Sequence, residues 1–245
     1  FFLQRLPQTT LIKVAPYVYG VTLLALLSVF TPIGMEINGA TRWINLGFTT
    51  VQPSEFMKIG VVLMLGAYLA KMKGDLMDVR RGLIPFGVIL GIPCLILLAQ
   101  PNTSTVIVLA ITALVMYMAA GAPFRDVLII GLASLCMFAV LVAMRPYLLE
   151  RVKTFITPSR DPLSSGYQVQ QSLIAIGSGG LLGRGFGQSV QKFNYLPEPV
   201  GDSVFAVYGE EFGFLGTTLL LLAFLAFAAR GFSIAINASS LFGSL

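Results

Sequence analysis

Histidine is absent from the 245 residues, tryptophan occurs once, cysteine twice, and charged side chains make up only 11% of the chain. Without histidine, a histidine-based metal site and a Ser-His-Asp type of triad are both excluded. The two cysteines, Cys94 and Cys136, each sit inside an apolar run, so they imply no disulfide framework and are expected to fill core space. The shortage of charge excludes more. A soluble domain carries about a quarter charged residues, whereas this chain is 56% hydrophobic with a mean hydropathy of +0.84. No compact soluble core buries that much apolar surface, and the solvent must be lipid. The opening FFLQRLPQTT has no Met and no charged stretch ahead of a short apolar one, so it does not read as a signal peptide. The chain stops soon after an apolar span and is expected to be an internal piece of a longer protein.

What is present is a series of apolar segments at residues 12–33, 52–70, 83–100, 103–120, 125–145 and 203–228. Each approaches the ~20 residues that a membrane-crossing helix needs. The expected fold is therefore all-α: one integral membrane domain over residues 1–245, a polytopic helix bundle with about six spans. Pro85 and Pro93 should kink the third segment. Pro101 separates the third from the fourth, which makes Gln100 to Thr105 a tight polar turn. Between Arg145 and Gly201 the apolar pattern stops and Gly, Ser and Gln dominate. A connection that long is expected to be functional. Within it, GYQVQQSLIAIGSGG has the pattern of a short helix lying on or dipping into the membrane.

The net charge of +5 follows the loops. With the first residues inside, Arg5, Lys13, Lys71, Lys73, Arg80, Arg81, Arg125 and Arg230 are cytoplasmic, and the short outer loops hold only Arg42 and, at a span edge, Lys58. Residues 146–201 then form a long extracytoplasmic loop. The excess suits anionic lipid headgroups or phosphate, and no nucleic-acid partner is expected.

Acids are concentrated in NYLPEPVGDSVFAVYGEEFGFLG, residues 194–216, directly before an apolar run. Pro197 and Pro199 forbid a regular helix before Asp202, which places it at or next to the N-cap of a span. It can serve as a cap, or it can accept a proton from a presented sugar hydroxyl. Glu210 and Glu211 follow about 12 Å deeper along a continuous helix, where structural pairing with a cation or with backbone is the expected use. In a second cluster, Pro53-Ser54-Glu55 is helix-start chemistry. Glu55 and Lys58 are spaced to pair on one face, and Lys58 can instead meet phosphate or snorkel. The run GSGGLLGRGFG resembles a phosphate cradle only superficially, because no strand precedes it and no GK[ST] follows. Its six glycines, Gly177, Gly179, Gly180, Gly183, Gly185 and Gly187, suit either a lid that closes over a substrate or a static loop packed closely on its neighbours.

Taken in order, GATRWINLGF, QPSEFMKI, SRDPLSSGYQVQQSLIAIGSGG, GQSVQKFNYLPE and GDSVFAVYGEEFGFLG resemble the SEDS family (shape, elongation, division and sporulation proteins), with a lean toward its FtsW branch over RodA. The resemblance covers essentially the whole chain. It implies about ten membrane helices, with the first two and last two lying outside the present six. It also implies a bacterial cytoplasmic-membrane location and a peptidoglycan glycosyltransferase that polymerises lipid II. The implied partners are a class B penicillin-binding protein and the other proteins of the division or elongation machinery.

The family's essential acid carries over to Asp202, and its basic residues to Lys58 and Arg42. Arg151 and Lys192 are further candidates for offsetting pyrophosphate charge, with Glu55, Gln191 and Glu198 completing the expected substrate-binding set. A divalent cation, Mg or Mn, is compatible with such a leaving group, and no metal ligand is assigned. The chain departs from the family pattern at Val200-Gly201, where His-Thr is usual, at Ser203, where Phe is usual, and at Asn102, where Asp is frequent. Two other functions stay open on the sequence: a lipid II flippase, and a non-catalytic scaffold of the division machinery.

Overall fold

A computed structural model describes residues 7–37, 40–45, 47, 49–72, 74–144, 149, 153 and 166–245. The six apolar segments all appear as helices: α1 Gln8–Ser28, α2 Pro53–Lys71, α3 Leu83–Ala99, α4 Thr103–Ala119, α5 Phe124–Met144 and, after two short helices, α8 Val204–Ile236. The short ones are α6 Tyr167–Ser178 and α7 Gln191–Asn194, and α9 Leu241–Ser244 closes the chain. α1, α2, α5 and α8 are long and apolar enough to cross a membrane, whereas α3 and α4 are shorter apolar helices. Each of these two has 17 residues, at the lower limit for a span. The sequence accounts for several ends directly. Pro53 stands at the start of α2 with Glu55 in its first turn and Lys71 in its last, as the helix dipole favours. Pro85 falls in the first turn of α3, where its missing N–H had no intrahelical partner, so only Pro93 interrupts that helix's interior.

One addition was not expected from the apolar pattern. Between α1 and α2 lies a three-stranded antiparallel sheet in the order β1-β2-β3, with β1 Gly34–Ile37, β2 Ala40–Asn45 and β3 Thr50–Val51. Met35 pairs with Trp43, Ile44 with Val51, and the ladder shifts register between Met35 and Glu36.

The described chain forms two compact units, Phe1–Leu135 with Ile234–Leu245, and Cys136–Ser233. In the first, α2 is the most buried span, and Leu26, Met57, Leu65, Phe86, Leu97 and Tyr117 lie in the core around it. Gly60 admits α1 at close range: a Cβ there would stand 2.4 Å from the Thr22 hydroxyl oxygen. Such small-residue contacts let helix backbones approach where lipid offers no hydrophobic drive. The expected polar turn after α3 is present and fully used. Gln100 donates to the Leu26 carbonyl at 2.8 Å, Asn102 donates to the Ser54 hydroxyl at 3.3 Å and accepts from Thr105 at 2.9 Å. Gln100, Asn102, Ser54 and Thr105 are all buried. The cysteines do not fill the core: Cys94 is half-buried and Cys136 exposed.

In the second unit the sequence suggested one continuous helix through GEEFGFLG. The chain instead breaks inside α8 at Gly213, with φ 66° and ψ −163°. The break frees backbone groups, and the Gly-rich run after α6 takes them up. Phe214 and Leu215 donate to the carbonyls of Gly180 and Leu181 at 2.8 and 3.1 Å, while Arg184 and Gly185 donate to those of Glu210 and Glu211 at 3.0 Å each. The contact is backbone on backbone. A Cβ on Gly183 (φ 81°) would lie 2.1 Å from the Glu211 carbonyl oxygen, and one on Gly213 would lie 2.3 Å from the Gly183 nitrogen. The run therefore forms a strap, packed on the α8 backbone at Gly179 and Gly183 as the static alternative expects, with open space at the Cβ positions of Gly177, Gly180 and Gly187. The break also changes the depth of the acids. Residues 214–236 alone rise about 34 Å, enough for a hydrocarbon core of about 30 Å. Glu210 and Glu211 thus precede a sufficient span and need not lie deep in lipid.

Gly183→Ala and Gly213→Ala should each lower stability by more than about 2 kcal/mol, the left-handed backbone penalty plus a backbone clash. Gly177→Ala, in helix α6 with open space at its Cβ, should be neutral or stabilising by up to about 1 kcal/mol. Thermal unfolding in detergent measures all three.

Candidate functional site

The segment between α7 and α8 is too rich in proline for a helix and is shaped by three anchors. Leu196 is buried with Ala175 of α6 and Ala206 of α8. Ser203 is also buried: its N–H donates to the Glu198 carbonyl at 3.2 Å and its hydroxyl to the Pro197 carbonyl at 3.0 Å. From α6, the Gln168 amide donates to that same hydroxyl at 3.2 Å. The Ser203 carbonyl accepts from Ala206 at 3.0 Å and from Val207 at 3.2 Å, so Ser203 occupies the cap position of α8.

Asp202 is consequently the residue before the cap. Its side chain is exposed, and no described residue engages it in a hydrogen bond or ion pair. Glu198, likewise exposed, holds φ 48°, a left-handed conformation uncommon for a residue with a side chain.

Glu210 and Glu211 are committed elsewhere. Glu210 is wholly buried and accepts from the Ser189 hydroxyl at 2.6 Å and from the backbone N–H groups of Val190 and Gln191 at 3.1 and 3.2 Å, with Arg184 3.4 Å away. Glu211 pairs with Lys192 at 2.6 Å, and the same ammonium donates to the Gly187 carbonyl at 3.0 Å. Both acids therefore tie the strap and α7 to α8, in keeping with the structural pairing expected of them. These bonds also give two of the proposed ligand-binding residues a structural task. Lys192 is held by Glu211, and the backbone of Gln191 by Glu210, while the Gln191 side-chain carbonyl oxygen is buried without a partner among the described residues.

In the first unit, Arg42 on β2 donates to the carbonyls of Gln100 and Pro101 at the end of α3. Lys58 and Glu55 form an ion pair at 2.8 Å on one face of α2, with 36% and 56% of their side chains exposed. Arg151 lies outside the described residues. Among the described residues no three Cys, Asp or Glu side chains gather to hold a metal ion. Gln168 and Ser203 were missed by the sequence reading. Ser203 stood out only as a departure from the family pattern, and Gln168 only as one polar residue in a Gln-rich helix.

The family described as cell cycle protein, covering FtsW, RodA and SpoVE, matches residues 1–245. The stage V sporulation protein E of Bacillus subtilis is 42% identical over 221 residues, which are 90% of this chain and 60% of that protein. The probable peptidoglycan glycosyltransferase FtsW of Thiomicrospira cyclica is 42% identical over 223 residues, 89% of this chain and 56% of that protein. The chain thus spans little more than half the length of these relatives. Among solved structures, that of a peptidoglycan synthase complex coordinating polymerization and crosslinking aligns with a TM-score of 0.75 at 30% identity, covering 99% of this chain and 67% of the other. The rod shape determining protein RodA of Thermus thermophilus aligns at 0.66 and 28% identity, covering 100% of this chain and 63% of that one.

Glu210→Ala should destabilise the protein by about 3–5 kcal/mol, since it strands Ser189, two backbone N–H groups and Arg184 around a removed carboxylate. Faster amide hydrogen exchange confined to Val190, Gln191 and the strap would mark the loss. Exchange unchanged there would show that Glu210 does not hold the strap.

Proposed function

The chain belongs to the FtsW/RodA/SpoVE family of cell cycle proteins, multi-pass proteins of the bacterial cytoplasmic membrane, and on that premise we propose that it carries the catalytic part of a peptidoglycan glycosyltransferase. The substrate is lipid II, the undecaprenyl-pyrophosphate-linked disaccharide pentapeptide, and the product is a glycan strand for cell division or elongation. Its relatives support this reading through their names and through the synthase complex to which the fold aligns. The same likeness supports a class B penicillin-binding protein as the crosslinking partner.

The observation that carries the assignment is the division of labour among the acids of the second unit. Glu210 and Glu211 are spent on holding the strap. Asp202 is held out on a braced loop with its carboxylate free of described partners. A general base needs such a carboxylate, within reach of the proton it takes. Asp202 removes the proton from the acceptor sugar hydroxyl. That oxygen attacks the anomeric carbon of the donor glycan with inversion, and undecaprenyl pyrophosphate departs with the bonding electron pair. Cationic side chains offset the charge that develops on the leaving group. Of the cations named from sequence, Lys58 is half-buried and paired with the exposed Glu55, whereas Arg42 is bonded to backbone carbonyls and Lys192 to Glu211 and the Gly187 carbonyl.

Asp202→Asn should lower polymerisation of purified lipid II by about 10²–10⁴-fold while leaving lipid II binding largely intact. Near-normal glycan product would remove Asp202 from the reaction, and Glu198→Gln in the same assay would then identify or dismiss the neighbouring acid. For Lys58, a role at the pyrophosphate predicts that Lys58→Ala loses activity and that Glu55→Ala does not. If pairing with Glu55 is its whole function, the two changes cost the same and the double variant costs no more.

A further inference from the structure

The base loop is fastened to the rest of its unit by a small polar relay. Gln168, in the first turn of α6, donates to the Ser203 hydroxyl at 3.2 Å, and Ser203 donates onward to the Pro197 carbonyl at 3.0 Å. A third bond, from the Ser203 N–H to the Glu198 carbonyl at 3.2 Å, closes the loop around residues 198–203. Asp202 is the neighbour of Ser203 in sequence, so the direction of its side chain follows the backbone that Ser203 fixes. Ser203 is 3% exposed and cannot replace these partners with water without opening the loop. Strain makes the fastening necessary. Glu198 sits at φ 48° in the same loop, and such a conformation persists only where surrounding contacts hold it.

We propose that Gln168 is a positioning residue for the base: through Ser203 it holds the 197–203 loop in the shape that presents Asp202, and it makes the placement of the base depend on α6. The proposal rests on the reading of Asp202 as general base and adds to it a residue that never touches the substrate. It also gives Ser203 a purpose, since its hydroxyl accepts from Gln168 and donates to Pro197 together, which an apolar side chain cannot do.

The test uses the intact protein reconstituted in liposomes, with lipid II polymerisation followed at saturating and limiting substrate. Gln168→Met keeps the side chain's volume and removes its donor. It should lower kcat about five- to tenfold, the scale of one hydrogen bond, with KM unchanged. Ser203→Ala should do the same, and the double variant should be no slower than either single, because both remove one relay. Ser203→Thr, which keeps the hydroxyl, should keep most of the turnover. Thermal midpoints of all variants separate misplacement from unfolding. Wild-type turnover in Gln168→Met would overturn the positioning role, as would additive losses in the double variant or losses that merely track the thermal midpoint. Asp202→Asn is run alongside. If it polymerises normally, the base reading fails and the relay has nothing to position. If it is inactive while Gln168→Met is fully active, the relay alone is refuted.

Discussion

In a hydrocarbon solvent every backbone N–H and C=O must find a partner within the protein, and a break in a helix is tolerated only where something else supplies one. The second unit meets this requirement at the edge of its span, where the helix breaks. α8 breaks at Gly213, and four of the backbone groups around the break, the N–H of Phe214 and Leu215 and the carbonyls of Glu210 and Glu211, are met by Gly180, Leu181, Arg184 and Gly185 of the strap. The strap in turn has to be held, and its large apolar side chains, Leu181, Leu182 and Phe186, are exposed, so their burial within the unit does not hold it. Its fastening is electrostatic: Glu210 collects Ser189, Arg184 and two backbone donors, and Glu211 takes Lys192. Buried carboxylates are costly unless so fully bonded. Their presence beside an apolar span follows from the broken helix they serve.

The loop that carries Asp202 is fixed by neutral bonds, and the first unit uses the same economy at its own polar turn. Asn102 stands where a carboxylate is frequent in the family. It donates to Ser54 and accepts from Thr105 at once, which a carboxylate acting only as an acceptor would not do. Buried charge is not confined to the second unit: Asp126 of the first is wholly buried, accepting from the Tyr117 hydroxyl at 3.3 Å and pairing with Arg125 at 3.0 Å. In the second unit the buried Glu210 differs in gathering backbone groups as well as side chains.

The spans were legible because hydropathy is a local property: each of the six segments read from sequence became helical with ends displaced by up to eight residues, and α6 emerged from GYQVQQSLIAIGSGG. The position of Asp202 next to a helix start followed from two prolines. The small sheet was missed because its strands are short and mixed in polarity. The dipeptide Asn38-Gly39 between β1 and β2 was the available signal for a hairpin. The break at Gly213 was missed for a different reason. GEEFGFLG satisfies helical periodicity throughout, and only contacts with residues some thirty positions earlier make Gly213 leave the helix. The partners of Glu210, Glu211 and Ser203 are long-range in the same sense. Sequence reading could say that the two glutamates needed partners, without saying which.

Gly183 and Gly213 meet each other, backbone against backbone, and both lie in the left-handed region. In most packed contacts an enlarged residue on one side can be accommodated by a smaller one opposite. Here neither partner has anything left to give up, since each is already the smallest residue and each needs its positive φ. No second-site change across this contact can rescue the first. During sequence divergence the pair must therefore behave as two independent fixed points, showing no covariation although the residues touch, and methods that infer proximity from correlated substitutions would be blind to the contact that folds the broken helix.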